Sequence, residues 1–243
     1  MKVLIACEES QRVCIEMRKL GHEAYSCDIL EPSGGHPEWH ILGDVLEILN
    51  PIESLCLGKV RKAVAFTTMD DIPHIIWDKW DMIIAHPPCT YLSNAGAARL
   101  YPKKGQLNEE RYRLGLKAKD FFMNFINADC DKIAVENPIP TRIYGLPPYS
   151  QIIQPYEYGH PYSKKTCLWL KNLPKLQPTD VVEPICSWVS GGSKGSHGNK
   201  RNNTGMKFRD SKTRSKTFPG IAKAMAEQWA GEDMSNERDF IQR

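Results

Sequence analysis

The sequence predicts an α/β fold on a mostly parallel sheet, and three observations predict it. The chain opens on a short apolar run, "KVLIAC" (2–7). An amphipathic stretch and a second apolar run, "HEAYSCDIL" (22–30), complete strand, helix and strand within about thirty residues, the layout of a βαβ unit. Two later runs, "WDMIIA" (80–85) and "KIAVEN" (132–137), are too short for helices and read as buried strands.

The first helix is predicted over "SQRVCIEMRKLG". Ser10 suits its N-cap, Val13, Met17 and Leu20 share one face, and Gly21 suits the position after its C-cap. A loop with Pro32, Gly34, Gly35 and Pro37 leads to "WHILGDVLEIL", where Gly43–Asp44 ends a third short strand. "VRKAVAFTT" fits a strand or a helix, and both stay open. Residues 107–128 carry apolar positions 114, 118, 121, 122, 125 and 126 at helical spacing. "SQIIQPYEYG" and "KTCLWLKNLP" predict two more strands, with a hairpin as one pairing. "FPGIAKAMAEQWA" (218–230) predicts a closing helix with Ile221, Met225 and Trp229 on one face.

At 243 residues, with 41% hydrophobic and 25% charged, the chain has ordinary globular composition and enough length for one substantial core. A net charge of +3 is too small to name a partner. No run approaches the ~20 apolar residues of a membrane span, and the first residues lack a signal-peptide layout. A soluble, cytoplasmic protein with no membrane partner is expected. Eight scattered cysteines without a C-x-x-C pair predict reduced thiols rather than a zinc ribbon. "HPEWH" sets His36 and His40 four apart, but Pro37 and the misplaced glutamate argue against a helical metal motif, so no metal is expected. The tyrosines of "YSQIIQPYEYGHPY" could stack bases but read more simply as packing.

The organisation predicted is a core over 1–172, a basic Gly/Ser-rich segment over 173–217, the closing helix over 218–230 and a frayed tail over 231–243. Between 190 and 216 the segment holds eight Lys/Arg against one acid, Asp210. Such a run reads as a solvated loop or as phosphate contacts, which position nucleic acid without reading sequence. Lys194, Lys200, Arg201, Lys207, Arg209, Lys212 and Arg214 are its candidate contacts.

Ligands of an open parallel sheet bind outside the carboxyl ends of its strands. There the reading places Cys7–Glu8–Glu9, then Asp28, then Asp44, then Pro87–Pro88–Cys89, then Glu136–Asn137–Pro138. Singly, each acid is a turn former or cap and Cys89 is packing. As an ordered set on one sheet edge they point to a site.

The set resembles the DNA cytosine-5 methyltransferase family, and the whole chain to about residue 230 looks like short phage and prophage cytosine methyltransferase-like proteins. "PPCTYLS" resembles the loop that carries the nucleophile, and "ENP" (136–138) the motif of the base-binding acid. The resemblance implies a Rossmann-like, S-adenosylmethionine-dependent methyltransferase-type fold, with helices on both faces of the sheet and a reduced target-recognition region. It implies Cys89 as nucleophile on a mount stiffened by Pro88, Glu136 as acid, Asn137 as its orienter, and Lys164 or Lys165 beside the base. It also implies S-adenosylmethionine as cofactor, held by Cys7, Glu8, Glu9, Asp28, Ile29, Asp44, Val45 and Pro87, and DNA as partner. Where the family carries a glycine-rich turn after the first strand, this chain has "CEESQR".

Carbon 5 of cytosine attacks a sulfonium methyl only after a thiolate adds to carbon 6 and a donor neutralises ring nitrogen 3. A thiol and a protonated carboxyl on adjacent strand ends suit those two tasks. With so short a recognition segment, weak sequence specificity is expected. The same chemistry on RNA or a free cytidine nucleotide, and a silent scaffold that binds nucleic acid or a host protein, are the alternatives.

Overall fold

The computed structural model describes residues 1–56, 58–103, 105–188 and 211–231. In chain order the first elements are β1 (Lys2–Ala6), α1 (Arg12–Lys19), β2 (Glu23–Asp28), β3 (His40–Leu42), α2 (Leu46–Leu49), β4 (Ile52–Cys56), β5 (Lys59–Thr67), β6 (Pro73–Trp77) and β7 (Met82–Ala85). There follow α3 (Glu109–Ile126), β8 (Lys132–Pro138), β9 (Gln151–Ile153), β10 (Tyr162–Ser163), β11 (Thr166–Lys171), β12 (Cys186–Ser187), α4 (Ser211–Ser215) and α5 (Pro219–Ala230).

Seven strands form one sheet in the order β3-β2-β1-β7-β8-β11-β9. The pairs from β3 to β8 are parallel, and β11 alone is reversed, antiparallel to both β8 and β9. This is the Rossmann-like layout with one reversed strand let in near an edge. β9 and β11 pair directly, as the hairpin reading allowed, although residues 154–165 intervene.

The apolar strand runs exist because the sheet is buried on both faces. Val3 and Ile5 of β1 pack with Val13 and Met17 of α1 and with Ile221, Met225 and Trp229 of α5. Leu4 and Ala6 face the other way, against Phe122 and Phe125 of α3 and the fully buried Trp80. The segment left open between strand and helix is β5, the centre of an antiparallel β4-β5-β6 sheet. Its Val64 and Phe66 join the same core layer as Trp80.

α1 starts later than the Ser10 cap predicts. Gln11 is its N-cap in a left-handed conformation (φ 56°) with no side-chain cap bond, because the Glu8 carboxylate takes the amides instead. Gly21, at φ +79°, ends the helix as read from the sequence. α3 is capped by Asn108, whose side chain accepts from the Arg111 amide at 2.9 Å. Residues 173–188 pack on the core: Leu176 is buried and exchanges two hydrogen bonds with Gln151, at 2.6 and 2.8 Å. Among the described residues no helix is long and apolar enough to cross a membrane.

Gly115 of α3 lies closely against the chain beyond β8. A Cβ there would stand 2.0 Å from the Tyr144 ring, which is itself buried. Gly115→Ala therefore sets a helix gain of about 1 kcal/mol against overpacking of about 1–3 kcal/mol. The clash should win, with a lowered urea midpoint at unchanged slope. An unchanged midpoint would show that Tyr144 can swing aside.

Candidate active site

A cleft of about 720 Å³ opens at the carboxyl ends of β1, β2, β3 and β7. Cys7, Glu8, Glu9, Asp28, Ile29, Asp44 and Val45 line one half, and His86, Pro88 and Cys89 the other. Lys216 and Thr217, from the turn before α5, also line it.

The turn after β1 has no glycine, yet it bends as a glycine turn would. Cys7 and Gln11 both adopt positive φ, 58° and 56°, a conformation that costs a non-glycine residue about 1–2 kcal/mol. Side-chain bonds hold it. Glu8 accepts from the Val13 and Cys14 amides of α1 at 2.8 and 3.2 Å. Gln11 donates to the Ser26 hydroxyl (3.2 Å) and the His36 carbonyl (2.8 Å), and accepts from the His36 amide (3.1 Å). His40, its pKa lowered by burial, donates to the Leu30 carbonyl and meets Ser26 through its other ring nitrogen. With both ring nitrogens engaged and His36 stacked on Trp39, the "HPEWH" histidines serve the loop.

Asp28 sits at the end of β2, where burial raises its pKa, and its side chain accepts from the Leu30 amide at 3.0 Å. Asp44 accepts from the Leu46 amide at 3.0 Å, so it shapes the start of α2 as well as the cleft wall. Ile29 is 76% exposed, whereas Val45 is buried. Glu9 faces Lys216, whose ammonium lies 3.7 Å from its carboxylate and donates to the Ser33 hydroxyl at 2.6 Å.

On the other half, Pro87 is buried and its carbonyl accepts from the Asn137 amide group at 2.9 Å. Pro87, expected at the cofactor, does not line the cleft, whereas Pro88 is exposed and does. The loop is fixed further along: the Cys89 carbonyl accepts from Ser93, and the Thr90 carbonyl from Arg111, whose guanidinium lies over the Tyr91 ring. Burial raises the Cys89 pKa, the Lys164 charge opposes that rise, and the Glu136 charge adds to it. Lys164 is half-buried and acts on Cys89, His86 and Glu136, while Lys165 is exposed. Of the two lysines, Lys164 belongs to the site.

Sequence reasoning missed His86 and Thr217. His86 directly precedes the two prolines, and its backbone amide donates to the Ala6 carbonyl at 2.9 Å. Its Nδ1 stands 2.8 Å from Oε2 of Glu136, and the Thr217 hydroxyl donates to the same oxygen at 3.4 Å. Burial alone would raise the Glu136 pKa, but His86, with Lys164, holds it below the usual carboxylate range. Burial alone would lower that of His86, but Glu136 and then Glu8 hold it above the usual imidazole range. Each group thus holds the other toward its charged form, which favours the proton on His86 over Glu136, where the sequence reading expected it.

Lys194, Lys200, Arg201, Lys207 and Arg209 lie outside the described residues. Lys212 falls in α4, and the Arg214 carbonyl accepts from Lys164 at 3.2 Å. The flanks of that stretch meet at the site: Trp188 and Phe218 pack edge to face, 4.8 Å between centroids.

Comparison with known proteins finds no family model that matches the chain and no curated protein that matches it.

Burial raises the Glu8 pKa to about 6 despite two amide bonds and the charge of His86. An acid with a raised folded-state pKa stabilises the fold where it is protonated, so this contribution grows as pH falls through about 6. Relative to Glu8→Gln, the wild-type protein should gain about 1.5 kcal/mol between pH ~7.5 and pH ~4.5. Urea unfolding of both proteins at the two pH values checks this. Parallel pH curves would mean that Glu8 titrates as a free glutamate.

Proposed function

We propose that the protein transfers a methyl group from S-adenosylmethionine to carbon 5 of cytosine in DNA, through a covalent adduct on Cys89. One observation carries the reading. Cys89, on a proline-fixed turn, and Glu136, buried on the adjacent strand, lie near enough for the carboxylate charge to act on the thiol. A nucleophile for carbon 6 and an acid for nitrogen 3 are the two groups that activate a cytosine ring.

The cofactor half supports the same reading through its charge. A dinucleotide would set its pyrophosphate on the first amides of α1, but the Glu8 carboxylate occupies them. With Glu9, Asp28 and Asp44 also in the wall, the cleft favours a cationic ligand over a phosphate. S-adenosylmethionine, with an ammonium and a sulfonium, fits that donor set, and 720 Å³ is within the usual range for a ligand of its size. Asp28 would hold the ribose hydroxyls, Asp44 the adenine edge, and Ile29 and Val45 its faces. Cys7, Glu8 and Glu9 would meet the amino-acid end. When bound, the cofactor supplies an electrophilic methyl group.

The chain's own residues do the rest. Pro88 fixes the approach of Cys89 to the ring, a proximity effect. The Lys164 charge favours the thiolate against its burial. Glu136 meets nitrogen 3, and Asn137 ties the β8 end to the proline turn. Arg214 and the basic residues from Lys194 to Lys212 would meet phosphates.

Labelled methyl from S-adenosylmethionine should appear as 5-methylcytosine in unmodified DNA, and Cys89→Ala should lower the rate by at least about 10³-fold. Label in RNA or deoxycytidylate alone would replace the substrate. No label from folded protein, together with no heat of S-adenosylmethionine binding by calorimetry, would favour the silent scaffold. Neutralising Lys194, Lys200, Arg201, Lys207 and Arg209 together should weaken DNA binding and flatten its salt dependence by about 0.9 per lost contact. Binding insensitive to salt would remove the segment from the interface.

A further inference from the structure

We infer that His86 is the proton store of the site, supplying through Glu136 the proton that ring nitrogen 3 takes when Cys89 adds to carbon 6. The inference rests on the cytosine reading and names a positioning residue within it. Its geometric basis is the 2.8 Å bond from His86 Nδ1 to Glu136 Oε2, between two side chains only 12% and 13% exposed. Nδ1 must carry hydrogen to make that bond, because an ionised carboxylate only accepts.

Every charged neighbour of the imidazole bears on the assignment. Glu136 on β8 and Glu8 after β1 favour the imidazolium, and Lys164 before β11 opposes it. Two carboxylates against one ammonium favour the protonated ring. The other ring nitrogen, Nε2, is buried without a hydrogen-bond partner among the described residues. An imidazolium with one satisfied N–H and one orphaned N–H holds its proton less firmly than one bonded on both sides, so the proton can leave.

The step balances. Cys89, its own proton released to solvent, forms the Sγ–C6 bond. The C5=C6 pair moves to C4=C5, and the C4=N3 pair moves onto N3. His86 Nδ1 gives its proton to the Glu136 carboxylate and the carboxyl so formed gives it to N3, which leaves neutral His86 and an ionised Glu136. Carbon 5 then takes the sulfonium methyl, releasing a thioether. Loss of the C5 proton to solvent expels the Cys89 thiolate, and the N3 proton returns through Glu136 to His86.

Exchange of the C5 hydrogen of cytosine in DNA with solvent, without methyl donor, reads the addition step alone. His86→Gln keeps an N–H donor toward Glu136 but cannot release a proton. It should lower the exchange and methyl-transfer rates by about 10²–10⁴-fold, with KM for DNA changed by less than about 3-fold. In the wild-type protein the rate should fall as pH rises through the His86 titration, and the variant should lose that limb. Nitrogen-15 spectra of wild-type histidines supply a second measurement that needs no variant: His86 should titrate above the ordinary histidine value. Wild-type exchange that persists in His86→Gln with the same pH limb, or a His86 titration below the ordinary value, overturns the inference alone. No exchange by wild-type protein on any cytosine substrate overturns the cytosine reading, and the inference with it.

Discussion

A parallel sheet buried on both faces leaves only its ends for polar chemistry, and that constraint organises this protein. β1 and β7 carry no polar side chain between Val3 and Ala6 or between Met82 and Ala85, because α1 and α5 cover one face and α3 covers the other. The adjacent strands β3, β2, β1, β7 and β8 all point the same way, so their carboxyl ends form one edge. Whatever acids, thiols or amides follow those strands are gathered there. Residues as distant in sequence as Glu8, His86 and Glu136 thereby come to act on one another.

That edge is made rigid by side chains where glycine would ordinarily give the backbone freedom. Cys7 and Gln11 accept left-handed backbone, and the bonds of Glu8 and Gln11 offset the cost. Gly34 is needed for another reason: a Cβ there would stand 2.6 Å from that of Gln11. Occupying the α1 amides with an internal carboxylate also fixes the polarity of the cleft. A helix N-terminus that ordinarily attracts anions has its own anion already, so the half of the cleft at β1–β3 presents negative charge.

Strands were legible in the sequence wherever burial on both faces wrote an unbroken apolar run, as in "KVLIA" and "MIIA". Asp28, Asp44 and Cys89 were legible because each closes such a run or follows it at once. The β4-β5-β6 sheet was not. β5 opens with exposed Lys59, Val60, Arg61 and Lys62 before its buried Val64 and Phe66, so neither a period of two nor one of 3.6 dominates. Glu8 was legible as a cleft residue but not as a cap, since its amides lie five and six residues ahead of it. His86 was hidden because its meaning lies in a partner fifty positions away. The choice of Lys164 over Lys165 turns on which of two neighbours faces inward, something that register decides and composition does not.

The two halves of the cleft are joined by the turn before α5. Lys216 reaches Ser33 and Glu9 on the β1–β3 side, and Thr217 reaches Glu136 on the β7–β8 side. The Thr217 carbonyl also accepts from Arg12 of α1, so this short turn touches both ends of the site at once. Trp188 packs on Phe218, and Arg214 is held by Lys164. The chain therefore leaves the core beside the cleft and returns beside it. One short stretch of backbone, Arg214 to Phe218, thus holds or carries both Lys164 and Thr217, the groups that act on Cys89 and Glu136.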